Sequence, residues 1–259
     1  MEAVLLAGGI PRPDEPLFDE SGGRSKALID VAGKPMVQWL LDALGASLKV
    51  ENVTIIGIDQ TSALTCQKPL TFLPDQKGLL DNVLLGLTHI RQVSPGTTHI
   101  MLASTDTPAV THEMIDWRIE AAQSAAGSDL DYVVVERHTM EARFPTSKRS
   151  FVRLRDVEVC GGDINVLNVN LAEKTELWEH LVAARKSPRR QAGLLGYDLL
   201  FQLLTRRITL KQAEAKISKR MGLRGHVVIS PFAELAMDVD KPEQLQILRQ
   251  DLAAKSGAA

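Results

Sequence analysis

A chain of 259 residues with 44% hydrophobic content can bury a sizeable core unaided, and with only 4% aromatics that core must be aliphatic. A formal net charge of −2 argues against a dedicated nucleic-acid binder, and two distant cysteines, Cys66 and Cys160, without ligand-spaced histidines argue against a disulfide framework or a structural zinc. No apolar run approaches the roughly 20 residues of a membrane helix, and the opening Glu2–Ala7 run is too short for a secretory leader, so a soluble, cytoplasmic protein is expected.

In chain order, Leu5-Leu6 belong to a first short strand ending in Gly8-Gly9. A polar loop from Ile10 to Ser25 follows, rich in prolines and acids; a loop this long after a first strand is usually functional. Pro35 opens a helix with Val37, Leu40, Leu41 and Leu44 on one face, with Gly45 as one option for its end. Val53–Ile56 with Ile58 reads as a strand, 79–91 as a helix, His99–Ala103 as a strand, Thr111 to about Ala126 as a helix, and Tyr132–Val135 as a strand. Alternation of this kind implies βαβ units and a mainly parallel, covered sheet. The second half is less regular. Phe151–Leu154 and Ile164–Val169 read as strands, and Thr175–Arg185, Leu194–Arg206 and Thr209–Met221 as helices. Thr209 and Gln212 form a capping box, with Gly222 as the stop. His226–Ile229 is a last strand, and Pro242 opens a closing helix from Glu243 to about Leu252, followed by a frayed tail, Ala253–Ala259. The expected organisation is a single domain with a helical insertion at about 175–225.

Several segments carry chemistry. Paired glycines after a strand let backbone N–H groups approach a triphosphate, and Arg24 and Lys26 follow as cations that could neutralise a reacting α-phosphate. On Gly8-Gly9 alone, a turn followed by solvated charge is the simpler reading. No G-x-G-x-x-G opens a helix here and no P-loop is present. Asp106, in Leu102-Ala103-Ser104-Thr105-Asp106-Thr107-Pro108, stands just past an apolar strand, where α/β sheets bind ligands and where Mg²⁺ would seek a carboxylate; a turn aspartate before proline fits equally. In Asp238-Val239-Asp240-Lys241-Pro242-Glu243, strand alternation puts Asp238 and Asp240 on one side, a costly arrangement unless a cation or solvent relieves it, although Asp240 also suits a helix start. Gly161-Gly162-Asp163 before a strand reads as a bulge or a close approach to ligand. Lys148, Arg149, Arg153 and Arg155 with Arg137 and His138 form the densest basic cluster, suited to an anionic acceptor or to a solvated face. The histidines lack metal spacing and no serine lies in a G-x-S-x-G elbow, so hydrolase chemistry has no support.

Leu6-Ala7-Gly8-Gly9, Lys26-Ala27-Leu28 and Gly33-Lys34-Pro35-Met36, followed by the Thr105-Asp106-Thr107-Pro108 and Asp238-to-Leu245 segments in the same order, resemble the NTP-transferase family. That group includes molybdenum-cofactor guanylyltransferases, methylerythritol-phosphate cytidylyltransferases and sugar-phosphate nucleotidyltransferases. The resemblance covers about residues 2–170 and 227–250. It implies a GT-A-like, three-layer α/β/α sandwich with a mainly parallel central sheet. It also implies transfer of a nucleoside monophosphate from an NTP, GTP and CTP both having precedents, to a small phosphorylated acceptor, with no nucleic-acid or membrane partner and with homodimerisation left open. Lys26 carries over as the phosphate-binding lysine; the arginine role falls to Arg24 or Arg12. Leu6, Ala7, Gly8, Gly9 and Thr105 would contact the nucleotide, and the stretch containing Asp75, Gly78 and Asn82 falls where the family reads base and ribose. Asp106 and Asp240, with Asp238 as helper, would hold Mg²⁺. Lys148, Arg149, Gly162 and Asp163, the last replacing a commoner Asn, would face the acceptor. The implied mechanism is in-line attack with Lys26 and an arginine stabilising the charge. A nucleotide-sugar glycosyltransferase of similar fold and a non-catalytic nucleotide sensor are the rival readings.

Overall fold

The computed structural model describes residues 1–125, 127–185 and 196–256. Its first half follows the expected alternation. Strand β1 (Glu2–Leu6) leads through a short helix α1 (Phe18–Ser21) and a two-stranded ribbon of β2 (Asp30–Val31) and β3 (Lys34–Pro35) into α2 (Met36–Ala46). Then come β4 (Asn52–Ile56), β5 (Leu70–Leu73), α3 (Leu79–Val93), β6 (His99–Ser104), α4 (His112–Ser124), β7 (Leu130–Glu136) and α5 (Arg137–Arg143). The second half contains β8 (Val152–Arg153), β9 (Glu158–Gly161), β10 (Ile164–Asn168), α6 (Thr175–Arg185), α7 (Tyr197–Leu204), α8 (Leu210–Met221), β11 (Gly225–Ser230) and α9 (Pro242–Ser256). Gly45 lies inside α2 rather than past its end, and the strand expected over Phe151–Leu154 shortens to β8. Leu194 and the end of the tail, residues 257–259, lie outside the described residues, as does Ala126.

Nine described strands form one sheet in the order β5-β4-β1-β6-β10-β7-β9-β8, with β11 also on β7. β5, β4, β1 and β6 are parallel; β10 is inserted antiparallel between β6 and β7; β11 runs parallel to β7. The sheet is therefore mixed, most strands sharing one direction, with helices on both faces. Residue parity along the strands sets the faces. Ala3, Leu5, Ile55 and Met101 pack with Leu40, Leu44, Ile115 and Ile119 of α2 and α4, and this layer continues through Val135 into α5 and α9. Val4, Ile56 and Ile100 point the other way, onto Val83, Leu87 and Ile90 of α3 and Leu177 of α6. Val134 and Val159 meet Leu199 and Ala213 of α7 and α8 on that second face. The result is a three-layer α/β/α sandwich.

The strand directions place the functional edge. β1, β4, β5 and β6 all end on one edge, and the antiparallel β10 begins there, because Ile164 pairs with Ala103 near the end of β6. Between β9 and β10 the chain bulges. Gly162 N donates to Val133 O at 2.9 Å, and Asn165 Oδ1 accepts from Val133 N at 2.9 Å, so a side chain takes over one rung of the ladder. Asp163 is thereby set at the same edge.

Candidate functional site

The loop after β1 is held by its own neighbours. Ser25 Oγ donates to Ala7 O at 2.5 Å and accepts from Ala27 N at 3.2 Å, capping a single 3₁₀ turn, Lys26–Leu28. Lys26 N donates to Gly9 O at 2.8 Å. Thr105 Oγ1 donates to Leu6 O at 3.1 Å, joining the ends of β1 and β6. The long Ile10–Ser25 loop thus leaves and returns to the same spot, and Lys26 is delivered beside the glycines. A Cβ on Gly8 would lie 2.5 Å from Asp75 Oδ1, so only glycine lets that carboxylate come so close. Asp75 is fixed in turn by the buried Asn82, whose Nδ2 donates to Asp75 Oδ1 at 2.7 Å and whose Oδ1 accepts from Gln76 N at 2.8 Å.

These loops enclose a cavity of about 320 Å³. Its lining runs from Leu6, Ala7, Gly8 and Gly9 through Lys26 to Asp75, Gly78, Asn82, Thr105 and Asp106. It thus brings together the residues expected to meet the nucleotide, the arginine excepted. Lys77, with φ +62°, adds a cation to the rim.

Beside the cavity, on the side of Lys26 and Asp106, stands an acidic cluster. Lys26 Nζ lies 2.7 Å from Asp106 Oδ2 and 3.0 Å from Asp240 Oδ1. Asp106, Asp238 and Asp240 each offer a carboxylate oxygen within 4.8 Å of the others. Two backbone features hold them there. Val239 N donates to Asp106 O at 3.0 Å, and the buried Gln244 accepts from both Asp240 N and Lys241 N at 2.9 Å, fixing the entry to α9. Burial works against the Lys26 ammonium, yet Asp106 and Asp240 outweigh it and hold its pKa above the ordinary value. Asp163 behaves oppositely: burial first, then the Asp106 charge, pushes its carboxyl up to about 7 against the pull of Arg149. Asp106 Oδ1 and Asp163 Oδ2 are buried with no hydrogen-bond donor among the described residues. Lys26 and the Arg149 guanidinium thus serve a site crowded with the carboxylates of Asp106, Asp163, Asp238 and Asp240, a donor set that suits a hard divalent cation.

The expected cations are placed differently. Arg149 is largely buried and pairs with Asp238. Lys148 is 70% exposed and 3.8 Å from Glu243. Arg24 is exposed and does not line the cavity, because Gly22 and Gly23, both at positive φ, turn the chain outward before it. Arg12 is spent on Glu15 at 3.2 Å at the surface. The neighbouring basic cluster is balanced locally: Arg137 and Arg153 share Glu158, and His138 lies 3.3 Å from Glu136. Sequence reading missed Gly57, which at φ +102° packs its backbone on Gly8, where a Cβ would sit 2.3 Å from Gly8 Cα. Its signal was a glycine directly after a strand. Gln244, which fixes the entry to α9, left no signal in the sequence that would single it out.

Comparison with known proteins gives a consistent picture. The profile of the MobA-like NTP transferase domain matches residues 3–192. Among solved structures, a hypothetical transferase from Thermus thermophilus is 32% identical with a TM-score of 0.79, over 94% of this chain and 98% of that one. A CMP:2-keto-3-deoxy-manno-octonic acid synthetase complexed with CTP is 13% identical with a TM-score of 0.55, over 98% and 99%. A 4-diphosphocytidyl-2C-methyl-D-erythritol synthase from Anaerococcus prevotii is 10% identical with a TM-score of 0.58, over 97% of each chain. The last two likenesses concern the fold alone. No curated protein gives a significant sequence match. No helix among the described residues is long and apolar enough to cross a membrane.

Proposed function

The chain belongs to the MobA-like NTP transferase domain family, and from that premise we propose that it transfers a nucleoside monophosphate from an NTP to a small phosphorylated acceptor, releasing pyrophosphate. The observation that carries this reading is the meeting of Lys26 with Asp106 and Asp240, the first two lining the glycine-walled cavity and Asp240 standing beside it. The cavity is a crevice at the carboxyl ends of parallel strands, where α/β sheets bind ligands. Backbone N–H groups around Gly8 and Gly9 would receive phosphate oxygens.

Asp106 and Asp240, with Asp238 beside them, would hold Mg²⁺; the unpartnered, buried Asp106 Oδ1 supports the fit. Bound Mg²⁺ supplies charge neutralisation for the triphosphate. The chain's own part is electrostatic and positional. Lys26 stays charged at neutral pH and would stabilise the negative charge that builds on the α-phosphoryl oxygens. An acceptor phosphate oxygen forms the new bond to the α-phosphorus while the bond to the β-bridging oxygen breaks, and pyrophosphate leaves with that electron pair. A phosphate nucleophile is already an anion, so no general base is required and orientation supplies much of the rate. Arg149 and Asp163, across the acidic cluster from the nucleotide cavity, would face the acceptor.

Asp75 bears on the base. A carboxylate only accepts hydrogen bonds, so it favours a base edge that donates. Guanine offers N1–H and N2–H side by side, whereas cytosine offers its amino group alone. GTP is accordingly the first substrate to try and CTP the second.

The test is a melting-temperature panel with ATP, GTP, CTP and UTP, with and without Mg²⁺, on the wild type and Asp240→Ala. Ligand at about 100 times its Kd adds roughly 2.7 kcal/mol. One NTP should stabilise the wild type only with Mg²⁺ and fail to stabilise the variant. No shift with any NTP would overturn the reading; binding without pyrophosphate release over a panel of phosphorylated acceptors would favour a sensor.

A further inference from the structure

A second cavity lies beside this site, between the sheet and α8. It measures about 320 Å³, and its walls are almost wholly apolar, built from Val134, Leu154, Val159, Leu210, Ile217 and Val227. We infer that this cavity receives a hydrocarbon part of the acceptor, so that the acceptor is a phosphomonoester bearing an alkyl or similarly apolar group. The inference rests on the transferase reading above, and it deepens it by naming the acceptor's chemical class.

Three observations join the cavity to the acidic cluster and favour this occupant. Gly161 lines the cavity, and its carbonyl is 3.5 Å from Arg149 Nη2, the guanidinium that pairs with Asp238. A phosphate held near Arg149 would therefore have the Gly161 wall of the cavity as its neighbour. A Cβ at Gly161 would lie 2.3 Å from Tyr132 Oη, so the glycine lets the Tyr132 phenol pack into the wall there. Gly161 is also only two residues before Asp163 in the chain, so the cavity wall runs on into the acidic cluster; burial and then the Asp163 charge hold the phenol above its ordinary pKa. The mouth is also apolar where it meets solvent. Val152 is 52% exposed and Tyr132 38% exposed, both on the lining. Exposed apolar side chains around an apolar hollow mark a binding surface. The volume is at the lower end of cavities that hold small molecules and accommodates on the order of ten methylene-sized groups at interior packing density.

The experiment measures binding of n-alkyl monophosphates, ethyl to decyl, by titration calorimetry at concentrations below micelle formation. In the wild type, Kd should fall about fourfold for each added methylene, from about 0.8 kcal/mol per buried CH₂, until the cavity is filled, and then level off. Ala213→Trp fills the cavity and should abolish the dependence on chain length. Because that variant could fail to fold, Val152→Lys is measured as well; it places a charge at the exposed mouth and should flatten the series at least tenfold at the longest chain. Folding of each variant is checked by its melting temperature. A Kd independent of chain length, no binding by any member, or an unaltered series in Val152→Lys would overturn the inference. The melting shift of the wild type with NTP is recorded in parallel. A flat alkyl series with that shift intact overturns the cavity assignment alone, whereas absence of the shift overturns the transferase reading beneath it.

Discussion

Lys26 contacts two carboxylates, and the pair of ion contacts defines what substitution should do. Asp106→Asn keeps the shape of the side chain and removes its charge. We expect turnover, read as pyrophosphate release, to fall about 10²–10³-fold, the scale of removing one preorganised charge partner. Fold stability should be unchanged, because Lys26 retains Asp240 at 3.0 Å; full turnover in the folded variant would refute the assignment. Gly57→Ala tests a different residue-scale demand. Its Cβ would meet Gly8 Cα at 2.3 Å and Gly8 N at 2.4 Å, and backbone cannot swing away as a side chain can. At φ +102° the substitution is strained in any case. A loss of about 2–4 kcal/mol in urea unfolding, with weakened NTP binding, is expected. Lys26, Asp106 and Asp240 were singled out in the sequence by the likeness of their segments to the NTP-transferase motifs, their residue types alone fitting a turn or a helix start as well, and the fold brings the three side chains together. Gly57 was not singled out, because its requirement is set by another loop's backbone. Arg24 was readable as a cation but not as one turned outward by two left-handed glycines, and Gln244 reveals its role only once its side chain is seen holding Asp240 N.

Elements whose side chains repeat along a buried face were legible. The leucines of α2 and the capping box of α8 needed no tertiary information. Thr209 Oγ1 accepts from Gln212 N at 3.2 Å and Gln212 Oε1 accepts from Thr209 N at 3.1 Å, with Gly222 left-handed at the other end. Thr209→Ala should cost about 1 kcal/mol, lowering the melting temperature by roughly 2–4 °C for a chain of this size, with NTP binding unaffected; calorimetry reads this directly. β5 and α5 were not legible. Leu70–Leu73 is short and half-exposed at the edge of the sheet, so it lacks the buried run that marked its neighbours. Arg137–Arg143 buries Met140 alone, too little for a helical period. The break at Gly162 was visible as paired glycines, but its geometry depends on Asn165 substituting for a backbone rung.

At the scale of the molecule, alternation of strands and helices was enough to foresee βαβ units and a covered, mainly parallel sheet, and the family resemblance added the three-layer sandwich, but neither told that β10 enters antiparallel, since pairing partners far apart in sequence leave no periodic trace. One carboxylate shows how such distant parts are tied. Asp129, before β7, accepts from Lys174 Nζ at 3.2 Å, just before α6, and from Arg224 N at 2.9 Å and Arg224 Nη2 at 3.0 Å, just after α8. It thus fastens both the departure and the return of the helical segment to the sheet. Burial alone would raise its pKa, but the hydrogen bonds from Arg224 and Lys174 prevail and lower it to about 2, against 3.8 when unpaired. A carboxyl depressed in the folded state stabilises the fold above its unfolded value, and the contribution disappears as pH falls through about 4 towards about 2. Asp129→Asn should therefore be less stable than the wild type by about 1 kcal/mol at neutral pH, once screening of a partly solvated group is allowed for. The gap should close as the wild-type carboxyl is protonated. Urea unfolding of both proteins at neutral pH and at steps down that acid limb measures it. A gap that persists unchanged to the acid end would mean that Asp129 acts through its shape and not its charge, and that the helical segment is held instead by its apolar face, where Leu177 and Trp178 join the cluster of Val4, Ile56 and Ile100.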